Sequence, residues 1–269
     1  MTATVPLPRR RRHTLHFLSY ARAQAPVHLD TEVDMTAVAA HRTAARSAGR
    51  RYSWTTYLLH CAGRVLADHP EANAVLTGRV LPRITRGESV DAKIALDRRL
   101  DGHRVVLSAV LPDVQHAGLD ALQAQVDGLR EGDPHTMPEF AGTRLLHRLP
   151  LPLGAAAFRA ALRSPAGRRR RMGTFALSSL GHTAVDGFHS AGGTTVTLNT
   201  GRVSERVVVR GGAPAIAPVM RLDLTFDHRV IDGAEAAEVL TGIRDALEGF
   251  ADAPPEATAA PADGVRGRA

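Results

Sequence analysis

The sequence predicts an α/β fold, a two-layer sandwich of helices against a mixed sheet. Two features carry this. Helical periodicity dominates early, at residues 35–48 and 54–68, the second with Tyr57, Leu58, Cys61, Val65 and Leu66 at core spacing. Strand-like apolar runs crowd the C-terminal half, at 174–180, 194–199, 206–209 and 219–226, without strict alternation with helices. The run 219–226 is placed at the centre of the sheet.

In chain order, residues 1–12 read as a disordered Pro/Arg-rich arm. A helical pattern at 13–24 ends at Pro26, and residues 27–34 alternate as a strand. The alanine-rich helix 35–48 stops at Gly49, and His69-Pro70 closes the helix 54–68. Short strands are expected at 73–76 and 80–84. Longer ones are expected at 90–96 and 105–110, joined by a polar turn at Arg99-Leu100-Asp101-Gly102. A helix follows at 119–129. Residues 131–173 hold five prolines and read as a long crossover with one helical piece at 155–162 and a basic run, Arg168 to Arg171. The last helix covers 236–247, and 251–269 reads as a disordered tail. One domain, 13–250, is therefore expected between two disordered ends.

Composition narrows the function. The single cysteine, Cys61, allows no internal disulfide and fits a reducing cytoplasm. No apolar run reaches the length of a membrane span, and no apolar segment follows Arg9 to Arg12 as a signal peptide requires. The formal net charge is +7 and the pI about 10.7. Nucleic-acid binding is weighed and set aside, because aromatics are only 4% and the basic residues are nearly all arginine. The same charge suits an acidic small molecule such as a nucleotide-bearing thioester.

The stretch that organises the chain is Leu224-Thr225-Phe226-Asp227-His228-Arg229-Val230-Ile231-Asp232-Gly233. A strand delivers a histidine to a tight loop and a helix leaves it. His-x-x-x-Asp-Gly also occurs at His182, Asp186 and Gly187, where no strand leads directly to the histidine and no clear helix follows it. The thirteen histidines show no metal-ligand spacing with cysteine or carboxylate, so no metal is expected. The pairs Gly192-Gly193 and Gly211-Gly212 read as turns rather than phosphate loops.

The string around His228 resembles the active-site signature of the dihydrolipoyl acyltransferase cores of 2-oxoacid dehydrogenase complexes. Pro26-Val27-His28 with Glu32-Val33-Asp34, His69-Pro70-Glu71-Ala72-Asn73, and Gly173-Thr174-Phe175-Ala176-Leu177-Ser178-Ser179-Leu180-Gly181 are similar to other family strings, in the same order, over residues 13–250. The resemblance implies a chloramphenicol acetyltransferase-like fold and a homotrimer with active sites between subunits. It also implies acyl transfer from acetyl-CoA as co-substrate, with no bound cofactor. It gives His228 the role of general base and Ser178 that of oxyanion donor, supplied by the neighbouring subunit, with Ser179 as the alternative. Asp232 is read as shaping the loop by accepting backbone N–H groups or pairing with an arginine. Gly233 is read as allowing a positive φ or a close approach, and Asp227 and Arg229 as supporting residues.

The chain departs from the family in four places. No lipoyl or partner-binding domain is recognised before the core. The 105–110 strand lacks the family's usual sequence, residues 131–173 are longer, and the apolar joining tail of cage-forming members is absent. A free-standing relative that forms no cage is therefore expected. Its acceptor is read as a small-molecule hydroxyl in a natural-product pathway, for which tetronate biosynthesis supplies a precedent. Acyl transfer to a lipoyl group in trans and a non-catalytic trimeric scaffold are the alternatives. Arg168 to Arg171 are read as a solvated run, with the phosphates of coenzyme A as the alternative partner.

Overall fold

A computed structural model describes residues 5–78 and 81–251. Among these, six strands form one mixed sheet in the order β1-β8-β7-β6-β4-β5. Its strands are β1 (Pro26–Asp34), β4 (Ala92–Leu100), β5 (His103–Leu111), β6 (Phe175–Ser179), β7 (Val196–Arg210) and β8 (Ala213–Asp227). The contacts β4–β6 and β6–β7 are parallel and the others antiparallel. Two short strands, β2 (Val75–Thr77) and β3 (Arg83–Thr85), pair separately. The expected strand at 80–84 thus begins at Arg83 among the described residues; Val80 lies outside them.

Alternation in β8 decides the layering. Leu222, Leu224 and Phe226 turn one way into the core, while Asp223, Thr225 and Asp227 turn the other. The apolar face packs with α2 (Thr36–Ser47), α3 (Trp54–Asp68), α4 (Leu119–Glu131) and α8 (Gly233–Glu248) in one continuous core. Burying a side chain such as Phe226 stabilises the fold by about 2–3 kcal/mol. Ser53 caps α3 by accepting from Thr56 N at 3.2 Å. Cys61 is buried on α3, as its spacing predicts.

The sequence reading misses three features. The runs 194–199 and 206–209 belong to one strand, β7, with a register shift between Thr200 and Val203. The segment 131–173 is largely helical, with α5 (Ala141–Arg148), α6 (Leu151–Ala161) and α7 (Pro165–Met172). The basic run lies on α7, with Ser164 as its cap and Pro165 in its first turn. Residues 9–12, placed in a disordered arm, form a 3-10 turn (Arg9–Arg11) and the start of α1 (Arg12–Ala21). Residues 1–4 and 252–269, including nearly all of the expected tail, lie outside the described residues.

Candidate active site

β8 ends at Asp227, and His228 is the first residue beyond it. The His228 backbone amide donates to Ala25 O at 2.9 Å, which ties the loop to the chain entering β1. The imidazole packs against Phe226, with ring centroids 5.3 Å apart, and is half exposed. Its Nδ1 lies 3.3 Å from Asp232 Oδ1. Nε2 has no hydrogen-bond partner among the described residues.

The loop is shaped by Asp227 rather than by Asp232. Asp227 is buried and accepts from the Arg229 backbone amide at 3.2 Å and from Ala25 N at 3.3 Å. The Arg229 guanidinium holds it through Nε at 2.8 Å and Nη2 at 2.6 Å. Burial alone pushes the Asp227 carboxyl up, but these donors outweigh it and hold it below the usual carboxylate range. The Asp232 carboxylate is 89% exposed and takes no backbone donor among the described residues, which corrects the loop-forming role expected of it. Gly233 has no positive φ, and a Cβ there would meet nothing within 4 Å, so neither reason given for that glycine holds.

Ser178 lies on β6 beside Asn199 of β7, on the sheet face opposite the core. Among the described residues no hydrogen bond engages its hydroxyl. Ser179 Oγ is occupied, accepting from Thr200 Oγ1 at 3.3 Å and Gly181 N at 3.3 Å. Both acceptor positions of Ser179 Oγ are thus occupied, whereas Ser178 Oγ has no protein partner among the described residues. It does not meet His228 within one chain. The register aligns Ser178 with Asn199 and then Asp223, five residues before His228 and two strands away. That is a separation on the order of 15–20 Å by strand geometry.

The second His-x-x-x-Asp-Gly copy forms no His–Asp pair: Asp186 binds Arg202 and Arg206, while His182 lies 3.9 Å from Asp97. Two of the four arginines expected to be solvated are not. Arg168 is buried, donating to Tyr20 Oη at 2.7 Å and Gly193 O at 2.9 Å, and Arg169 pairs with Asp91 at 2.5 Å.

Three groups escaped the sequence reading. His28, Thr225, Asn199 and Asp223 line the same face as Ser178, with His28 Nδ1 2.8 Å from Thr225 Oγ1. Burial raises the Asp223 carboxyl, and burial together with neighbouring His189 lowers His28. Alternation of Asp223 and Thr225 with Leu222 and Leu224 is the signal that could have found them. Lys93 on β4 is fully buried, hydrogen-bonded to Gly192 O, with its ammonium 4.5 Å from the Phe17 ring centroid. Burial, and then Arg168, lower it to about 7. Finally, ligand atoms of His69, Glu235 and Glu238 lie within 4.8 Å of one another, a cation-compatible group that spacing did not reveal. Its His69–Glu235 contact of 2.9 Å ties the end of α3 to the first turn of α8.

The family model for the 2-oxoacid dehydrogenases acyltransferase catalytic domain matches residues 1–132 and 168–253. The dihydrolipoyllysine-residue acetyltransferase component of the Bacillus subtilis pyruvate dehydrogenase complex is 48% identical over 50 residues. That segment is 19% of this chain and spans only 11% of the relative. A structure of Azotobacter vinelandii dihydrolipoamide acetyltransferase, from work on a catalytic serine, histidine and asparagine, superposes with a TM-score of 0.70 at 21% identity. The alignment covers 93% of both chains. A chloramphenicol acetyltransferase superposes with a TM-score of 0.50 at 16% identity, over 92% of this chain and 100% of the other. These likenesses bear out the expected fold. No helix among the described residues is long and apolar enough to cross a membrane.

Proposed function

Since the chain belongs to the 2-oxoacid dehydrogenase acyltransferase catalytic-domain family, we propose that it moves an acyl group between coenzyme A and a dihydrolipoyl thiol. The observation that carries this reading is His228 at the mouth of a strand–loop–helix, with Nδ1 engaged by Asp232 and Nε2 free. The relatives named above favour a lipoyl thiol over the small-molecule hydroxyl that the sequence reading placed first. One feature keeps the hydroxyl as the second reading: residues 133–167 fall outside the family match and add helices beside α1.

The mechanism is direct transfer in a ternary complex. His228 Nε2 takes the proton of the acceptor thiol, and the thiolate attacks the acyl carbonyl of the CoA thioester. Ser178 donates to the oxyanion of the tetrahedral intermediate. Collapse breaks the bond to CoA, whose sulfur recovers the proton from the imidazolium. The spacing of His228 and Asp232 equals that of the histidine and asparagine studied in the Azotobacter enzyme.

Because Ser178 and His228 stand far apart in one chain, the working site is formed between two chains of a homotrimer. Val207, Val209 and Ile216 support this: they share one face of the β7–β8 hairpin and are 74%, 76% and 71% exposed. A single, buried cysteine, Cys61, suits a reducing compartment.

The test is acetyl transfer from acetyl-CoA to free dihydrolipoamide. Ser178→Ala is expected to lose about two orders of magnitude in kcat. Co-assembly of Ser178→Ala with His228→Ala is expected to restore roughly a quarter of wild-type activity, by random assortment in a closed ring of three. No turnover of dihydrolipoamide alongside turnover of a hydroxylated acceptor would move the reading to the hydroxyl. No recovery on mixing would rule out shared sites.

A further inference from the structure

The positive charge of this chain is concentrated in one layer. Residues 5–25 and 141–173 hold thirteen arginines and no aspartate or glutamate. The whole chain has 34 lysines and arginines against 27 aspartates and glutamates, so the remainder holds twenty-one bases against twenty-seven acids. The body of the domain is acidic, and the excess cation sits in two stretches distant in sequence.

The fold brings these stretches together. α1 packs on α5 and α6, and Arg12 donates to the carbonyls of His147 at 3.2 Å and Leu149 at 2.7 Å. His147 and His13 are hydrogen-bonded at 2.8 Å. Among the described residues only Arg169 of the thirteen has a carboxylate partner. Arg9, Arg11, Arg148, Arg159, Arg163 and Arg170 are exposed. Leucines lie between them, with Leu15 44%, Leu18 54%, Leu145 52% and Leu153 58% exposed. Like charges held together without counter-charge repel, and an acidic partner relieves that repulsion. The layer also adjoins the site. Ala25, just past α1, accepts from the His228 amide, and Gln24 Nε2 donates to Thr194 O at 2.8 Å. Phe17 lies beneath Lys93, one strand from Ser178.

We propose that this arginine- and leucine-studded layer docks an acidic carrier domain, a folded protein module with carboxylates around a thiol-bearing arm, and so delivers the acceptor to the His228 loop. The proposal rests on the thiol-acceptor reading above. A protein surface matches both halves of the pattern, carboxylates for the arginines and apolar side chains for the leucines. Duplex phosphates offer no counterpart to the leucines. The leucines are spread over three helices rather than forming the single apolar face with which a helix lies in a membrane.

The experiment compares two acceptors, free dihydrolipoamide and an isolated, reduced lipoyl domain of net negative charge, at about 50 mM and about 500 mM salt. The variant is Arg148→Glu/Arg159→Glu/Arg163→Glu, with the matching three Arg→Gln changes as a milder control. Wild type is expected to lose about tenfold or more in kcat/KM for the domain as salt rises. The Glu variant is expected to lose at least about tenfold for the domain at low salt and nothing for free dihydrolipoamide, with the Gln variant between. Unchanged dihydrolipoamide turnover also shows that the fold is intact. Domain kinetics equal to wild type in the Glu variant overturn the proposal. So does binding of duplex DNA or phosphatidylglycerol vesicles that the variant abolishes while domain kinetics stay unchanged. If wild type turns over no dihydrolipoamide, the acceptor reading fails separately. Calorimetric titration with the domain then decides docking: binding by wild type but not by the variant supports it, and no binding overturns it.

Discussion

His228 Nδ1 and Asp232 Oδ1 stand 3.3 Å apart, four residues along the chain. The contact is placed to orient the imidazole, but the aspartate is 89% exposed, so water competes for it and its contribution is modest. Asp232→Ala is expected to lower kcat by about tenfold with little change in KM for acetyl-CoA, and Asp232→Asn to recover most of the loss. Steady-state kinetics check this, and full kcat in Asp232→Ala would show that the contact does not orient the base.

Asp227 holds the loop from inside. Its folded-state pKa is depressed, so its stabilising contribution is present above the unfolded value near 4 and is lost as pH falls through the folded value. Removing its charge strands the half-exposed Arg229, which water partly compensates. Asp227→Asn is expected to cost about 2 kcal/mol at pH 7, and the deficit to shrink toward pH 3. Denaturant unfolding at the two pH values measures it. A deficit that does not change with pH contradicts the assignment.

Lys93 has the opposite linkage. Its pKa lies near 7 in the fold and at 10.5 as the ordinary value, so between these limits the unfolded chain binds more protons. Stability therefore rises with pH across that window, by up to about 1.4 kcal/mol per unit from this group. Below pH 7 both states are protonated and the full cost is present. Lys93→Met is expected to flatten the rise, so that the variant's relative stability declines between pH 7 and 10. Parallel curves for the two proteins would refute this.

What the sequence made legible was local. The strand–loop–helix around His228 and the strand bearing Ser178 are contiguous strings whose alternation and turn chemistry read directly. What it hid depends on distant partners. Four consecutive arginines read as a solvated run, yet α7 turns Arg168 toward Tyr20 and Gly193 and Arg169 toward Asp91. Gly201 falls between the two strand-like runs 194–199 and 206–209. In the fold it lies within β7, where a Cβ would collide with the Asp186 carbonyl, so the glycine serves a close approach. Asp227 and Asp232 look alike in the sequence, and the donors from Ala25, just before β1, and from Arg229 separate the buried loop-holder from the exposed one.

The central claim is that His228 is the base for acyl transfer. It is tested most directly by the single-turnover rate of acetyl transfer from acetyl-CoA to dihydrolipoamide in His228→Ala, with circular dichroism and assembly state matched to wild type. The account predicts a fall of about two to four orders of magnitude with the fold retained. A His228→Ala protein that transfers acetyl at the wild-type rate would contradict it.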